Sequence, residues 1–357
     1  MTEANTALAE IIEASAPGYA SASANLLLTG DASLRDRYGP GASTTWRAHL
    51  QQRLLELAAA VRMGEPRLFA NRMIWQQKAF TARESGSADL RLSLQALGDV
   101  LAEELPEELR DTPAPYLQAG LDALEVAHEP EKTGLDPNDP HGSLALAYLL
   151  ACLEGDVRRA IRLLERAQDN GTPVEDLFLE VLVPVQQEIG RMWHANEVSI
   201  AEERIVSETT RKAMTLLTER NPVAKQIDKT VLAASVALNT HDIGIRAVAD
   251  FFQLAGWHVL SLGPDVPPSE VANAAEIFNV DLVLLGATLS TQLKQLTITI
   301  DHIKATCGDR VKILVGGHVF LDAPELWRTT GADAYAADAR DAVRLGAELV
   351  GLDAPAK

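Results

Sequence analysis

The sequence predicts a multidomain α and α/β protein: an all-helical N-terminal domain over residues 1–136, a four-helix bundle over 143–222 and a doubly wound parallel α/β domain over 229–351. Three observations predict it. Apolar residues recur at helical spacing through the first two parts, the period then switches to short continuous apolar runs, and the punctuation between parts is dense in Pro, Gly and Asp. The 357 residues exceed one ordinary domain, and 47% apolar with 23% charged residues is a globular composition.

In the N-terminal part the stripe Leu50, Leu54, Leu57, Val61 is followed by Leu90, Leu94, Leu97, Leu101 and then by Leu117, Leu121, Leu124, each on one helical face. The segment 129–142, EPEKTGLDPNDPHG, reads as a linker. Four apolar-periodic stretches follow with short breaks, the third opening at Thr172 as the expected N-cap with Pro173 at the first helical position. Beyond the connector NPVAKQIDK, the runs TVLAASVAL, HVLSLG, DLVLLGAT, KILVGG and DAYAA alternate with amphipathic helices. Runs with little polar alternation are what strands covered on both faces require.

Charge and cysteine content exclude several functions. A formal net charge of −18 repels phosphate backbones, so no nucleic-acid partner is expected. Cys152 and Cys307 lie far apart, with neither disulfide nor zinc spacing, which fits a reducing cytoplasm. No basic leader and no run of about 18 apolar residues occurs, so neither a signal peptide nor a membrane partner is expected.

In a doubly wound sheet, ligands bind at the carboxyl ends of the strands. There the sequence places Asn239, His241, Asp242 and Gly244 after the first strand, Gly286, Thr288 and Ser290 after the third, and Gly316 with Gly317 after the fourth. Small residues at successive strand ends leave room for a ligand, while residues 239–244 hold too few glycines for a dinucleotide fingerprint. A histidine at such a place is equally a helix cap or a surface side chain.

The block 229–351 resembles the cobalamin-binding domain with DxHxxG, SxL and GG signatures. The first is present as Asn239, His241 and Gly244, the second is altered to Thr288 and Ser290, and the third is intact as Gly316 and Gly317. The resemblance implies that His241 is the lower axial ligand of cobalt, that the small residues line a groove for the nucleotide tail, and that Asn239 stands where the family has the Asp that supports the ligand. Asn accepts a hydrogen bond from the imidazole but takes up no proton.

The helical block before it resembles the bundle covering the upper corrin face in that family. Trp193 and Glu203 match a Trp-x9-Glu-His pattern of B12-dependent photoreceptors, with Arg204 in place of the final His. That likeness implies adenosylcobalamin, with Trp193 on the adenosyl group and Glu203 on its ribose. Arg204 stays protonated and is no cobalt ligand, which leaves water or another base, such as His194, after photolysis.

The N-terminal part carries no winged-helix pattern. The order of parts resembles the photocobilins, sensors pairing B12 with biliverdin, and the propionates of a bilin would need cations such as Arg67, Arg72, Lys78 or Arg83. With no cysteine in 1–136, a bilin is held noncovalently or reaches Cys152. The aromatics Phe69, Trp75 and Phe80 are equally what a helical core needs. The expectation that follows is a non-enzymatic, cytoplasmic, homo-oligomeric light sensor that binds adenosylcobalamin and optionally biliverdin and signals through assembly or a separate effector. The alternative is a corrinoid methyl carrier for a methyltransferase system, and a third reading is a scaffold that has lost its cofactor.

Overall fold

The computed structural model describes residues 2–82, 87–126, 132–222 and 224–352. The chain divides into two compact units, one of residues Met1–Pro130 with Asp322–Thr329, the other of Glu131–Leu321 with Thr330–Lys357.

The first unit is helical: α1 (Glu3–Gly30), α2 (Ser33–Tyr38), α3 (Ala42–Met63), α4 (Pro66–Ala82), α5 (Ser87–Glu104) and α6 (Ala114–Glu125). α1 packs along α3, and α4 along α6. Leu50, Leu54 and Leu57 of the expected stripe are fully buried, as are Trp46 and Phe69. The aromatics of α4 therefore divide: Phe69 and Phe80 are core, while Trp75 lies under the Arg72 guanidinium, 4.4 Å from its ring centroid.

The bundle of the second unit begins with α7 (Pro140–Leu153), three residues earlier than the periodicity indicates. Asp139 explains the shift, since its carboxylate accepts from the Gly142 N–H at 2.8 Å and Pro140 occupies the first turn, where its missing N–H costs nothing. Gly142 is obligatory, because a Cβ there would lie 2.1 Å from the Asp136 carbonyl oxygen. α8 (Val157–Asp169) follows. The third bundle helix starts at α9 (Val174–Asp176) with Pro173, not Thr172, at the cap position and no side-chain cap. It widens into a π turn over Leu177–Leu182 before α10 (Val183–His194), whose Pro184 removes a backbone donor; local widening accommodates such a gap. α11 (Ile200–Glu219) opens with a complete capping box between Ser199 and Glu202.

The α/β layer holds β1 (Thr230–Val236), α12 (Ile243–Leu254), β2 (His258–Val266), α13 (Pro268–Ile277), β3 (Leu282–Gly286), α14 (Leu293–Cys307), β4 (Lys312–Gly316), α15 (Val319–Asp322), β5 (Ala334–Tyr335) and α16 (Ala339–Leu349). All strand pairs are parallel, in the order β2-β1-β3-β4-β5. The chain winds one way from β1 to β2 and the other way from β3 onward, so the switch point lies between the ends of β1 and β3. Residues 231–236 of β1 and 282–285 of β3 are buried, which accounts for their unbroken apolar runs. The bundle and the helices facing it share one hydrophobic core, in which the Phe178 and Phe251 rings meet at 6.0 Å. Among the described residues no helix is long and apolar enough to cross a membrane.

Gly317 has φ +114, and a Cβ there would lie 2.1 Å from the Ala287 carbonyl oxygen. Gly317→Ala should therefore lower unfolding stability by about 2–4 kcal/mol in a denaturant titration. By contrast Gly18→Ala, exposed inside α1 with nothing near its Cβ, should raise it by about 0.5–1 kcal/mol.

Candidate functional site

The loop leaving β1 is fastened from both sides of the switch point. Leu238 adopts φ +67, its N–H donates to Asp265 Oδ1 at 2.6 Å and its carbonyl accepts from Gln292 Nε2 at 3.1 Å. Gln292 Oε1 meanwhile accepts the Thr288 and Leu289 N–H groups at 2.8 and 3.0 Å, so one buried amide joins the loops after β1 and β3. The Asp265 N–H donates to the Asn239 carbonyl at 2.9 Å, adding the end of β2.

Asn239 is 1% exposed and its amide is oriented by its partners. Nδ2 donates to the Gly286 carbonyl at 3.0 Å, which turns Oδ1 toward His241. Oδ1 lies 3.2 Å from the His241 backbone N and 3.3 Å from its Nδ1. The imidazole proton therefore sits on Nδ1, and Nε2 keeps its lone pair. The ring reaches solvent, yet the atoms crowded round it desolvate it and push its pKa below the ordinary value; His318 acts in the same direction, while Glu203 and Asp242 oppose it. That direction favours the neutral ring, the form that binds a metal.

Gly286 lies opposite Ser235 of β1 and Gly316 of β4, and the space at the Cβ position of Gly244 is open. Ser290 is buried with no partner for its hydroxyl, and Thr288 is half-buried beside it. A buried hydroxyl without a partner costs about 1–3 kcal/mol unless a ligand meets it. Among the described residues no group of three or more His, Cys, Asp and Glu could hold a metal ion. A lone imidazole donor fits a metal that arrives with its other ligands already attached.

The remaining expected residues divide. Glu203 of α11 is near enough to bias the His241 charge, and its Oε1 lies 2.7 Å from the Ser207 hydroxyl, whose single proton is shared with Gln186 Oε1 at 3.0 Å. Trp193, at the end of α10, is 37% exposed, and Ile200 and Ile205 of α11 are exposed as well. Arg204 points to solvent. Asp242 does not face the open space: its carboxylate is gripped by Arg211 of α11 at 2.7–3.1 Å. Arg211 and Gln292 were not signalled by any motif, since their partners lie 31 and 54 residues away in the chain.

Residues 229–345 match a family model described as B12 binding domain, and residues 144–218 match a second model of the same description. Dimethylamine corrinoid protein 3 of Methanosarcina mazei is 33% identical over 122 residues, covering 34% of this chain and 71% of its own. The chain belongs to the B12-binding corrinoid proteins. Dimethylamine corrinoid protein 2 of Methanosarcina acetivorans is 26% identical over 196 residues, which are 54% of this chain and 89% of that protein. The structure of the monomethylamine corrinoid protein of Methanosarcina barkeri covers 58% of this chain and 98% of its own, with a TM-score of 0.50 and 23% identity, a likeness of fold. This chain thus carries a B12-binding domain preceded by a helical cap.

These relatives overturn the light-sensor expectation, because the proteins matched, one of them over 196 residues, are corrinoid proteins named for dimethylamine. The photoreceptor pattern was carried by Trp193 and Glu203 alone, and a Trp and a Glu at helical spacing also arise on an ordinary cap. The family matches begin at residue 144 and carry nothing for biliverdin. Arg67 is paired with Glu65 and Arg72 with Glu56, Lys78 has an interaction of its own, and Arg83 lies outside the described residues. Cys152 is fully buried, and burial pushes its thiol up to about 11.

At pH 8 about one Cys152 in a thousand is then a thiolate. Iodoacetamide should leave Cys152 unmodified in the folded protein over hours and label it fully in denaturant, read by mass spectrometry of the peptide containing it.

Proposed function

We propose that the chain is a methyl-group carrier that serves a separate methyltransferase and itself catalyses no reaction. The observation that carries this reading is the His241 imidazole, with Nδ1 turned to Asn239 and Nε2 left as the donor. Bound cobalamin supplies a cobalt that takes up and gives up a methyl group. His241 would be the residue that holds the cobalt, and Asn239 would fix the ring's tautomer without accepting its proton. Ser290, Thr288, Gly286, Gly316 and Gly317 would hold the nucleotide tail, where the unpaired Ser290 hydroxyl would find a polar partner. Gly244 leaves the approach to the loop open. From above, Trp193, Ile200 and Ile205 offer apolar cover, and Glu203 adds a carboxylate beside it. Arg204 is exposed, beside Ile205 on α11. The names of the relatives support a methyl group as the upper ligand in place of adenosyl.

His241→Ala should weaken hydroxocobalamin binding at least about tenfold in an absorbance titration. Ser290→Ala should weaken it about threefold to tenfold while leaving the cofactor-free protein as stable or more stable, since the hydroxyl it removes has no partner.

The deciding experiment loads the full chain with 13C-methylcobalamin and adds a thiol with and without a purified corrinoid-dependent methyltransferase. Enzyme-dependent appearance of the labelled thioether supports the carrier. Tight binding with no transfer to any such enzyme would sink it.

A further inference from the structure

We propose that Arg211 is a positioning residue for the cobalt ligand, acting through Asp242 as a clasp between the last helix of the cap and the loop that carries His241. The inference rests on His241 being that ligand and deepens the carrier reading.

Asp242 occupies the N-cap position of α12, and Asp is among the residue types that cap helices best, yet its side chain makes no capping bond. Both carboxylate oxygens are taken instead by Arg211, with Nε at 2.9 Å from Oδ1 and 3.1 Å from Oδ2, and Nη2 at 2.7 Å from Oδ1. Two-point contact of a planar guanidinium fixes direction as well as distance. Arg211 is itself steadied by Glu208, one turn earlier in α11, at 2.8 Å from Nη1. One turn further along, the Thr215 hydroxyl accepts from Arg246 Nη2 at 2.5 Å, so α11 and α12 meet in two successive polar rungs.

Asp242 is the residue directly after His241. Its carboxylate has two destinations, the open N–H groups of the α12 first turn or Arg211, and the choice sets the backbone torsions that aim the imidazole. Asn239 fixes the tautomer of the ring, and Arg211 fixes its direction. A cap that swings aside to admit another protein must first open this clasp, so exposure of the upper face and release of the lower loop become one event.

The test uses uniformly 15N-labelled full-length protein as wild type, Arg211→Gln, Arg211→Lys, Asp242→Asn and the Arg211→Gln/Asp242→Asn pair. Cobalamin-free protein is followed by amide exchange in NMR, and protein loaded with unlabelled cobalamin in the cobalt(II) state by electron paramagnetic resonance. In cobalamin-free Arg211→Gln the freed carboxylate should cap α12, slowing exchange at Gly244 or Ile245 about tenfold and speeding it at His241 by a similar factor. In the loaded wild type each cobalt line should split into a doublet from protein 15N. Arg211→Gln and Asp242→Asn should each lose at least half of that doublet, the pair should lose no more than either alone, and Arg211→Lys should restore part of it. Unchanged exchange in Arg211→Gln overturns the clasp, as does an undiminished doublet. Should the wild type show a triplet from the cofactor's own base, the ligand reading fails instead, and the exchange arm still decides whether Arg211 holds Asp242.

Discussion

The buried amide of Asn239 is the constraint on which the cofactor site depends. It sits at the switch point of the sheet, where β1 and β3 part and backbone groups at their ends lose the partners a continuous ladder would supply. Its Nδ2 satisfies the Gly286 carbonyl and its Oδ1 receives His241, and reversing the amide would set two oxygens face to face at about 3 Å. Leaving such a buried pair unsatisfied costs a few kcal/mol. The orientation is therefore fixed, the tautomer of His241 follows, and the side of the ring that can donate to a metal follows from that.

Asp, which the cobalamin-domain signature carries at this position, would bring a charge to the same spot. A carboxylate at position 239 would strengthen the imidazole as a donor but would turn one oxygen toward the Gly286 carbonyl. Asn removes that repulsion and gives up the capacity to take a proton. The remainder of the loop is held by Asp265, Gln292 and Arg211, drawn from three other parts of the unit. A ligand loop so fastened shows little freedom to re-aim its imidazole without a larger change, and the helical cap, packed into the same core as α12, is the element able to supply one.

The N-terminal unit stands on different physics. Both B12-binding matches fall after residue 143, and the helices before them bury a core of their own with an ion cluster inside it. Arg53 and Glu56 are each 1% exposed and paired at 3.2 Å, and Arg72 approaches Glu56 from α4 at 3.1 Å. Buried charge of this kind adds little net stability but penalises any packing that separates the partners, so it favours one register of α3 on α4. The cations that seemed open to a ligand in the sequence are in part the counter-ions of this unit's own acids.

Hydrophobic period and strand-end glycines determined the fold class: the unbroken runs of β1 and β3 can only be covered on both faces, and small residues at 286, 316 and 317 mark the strand ends that a ligand approaches. Residue type and local spacing pointed to the strand ends at 239–244, 286–290 and 316–317, and the resemblance to the cobalamin-binding domain singled out Asn239, His241 and Ser290 among them. Tertiary structure decided the rest. Asp242 binds Arg211, Gln292 bridges two loops, and Arg67 and Arg72 are engaged within their own domain. These depend on which distant side chain arrives opposite, a long-range contact that no local spacing encodes. The same holds for Trp193 and Glu203, whose spacing fits a sensor and a carrier cap equally well.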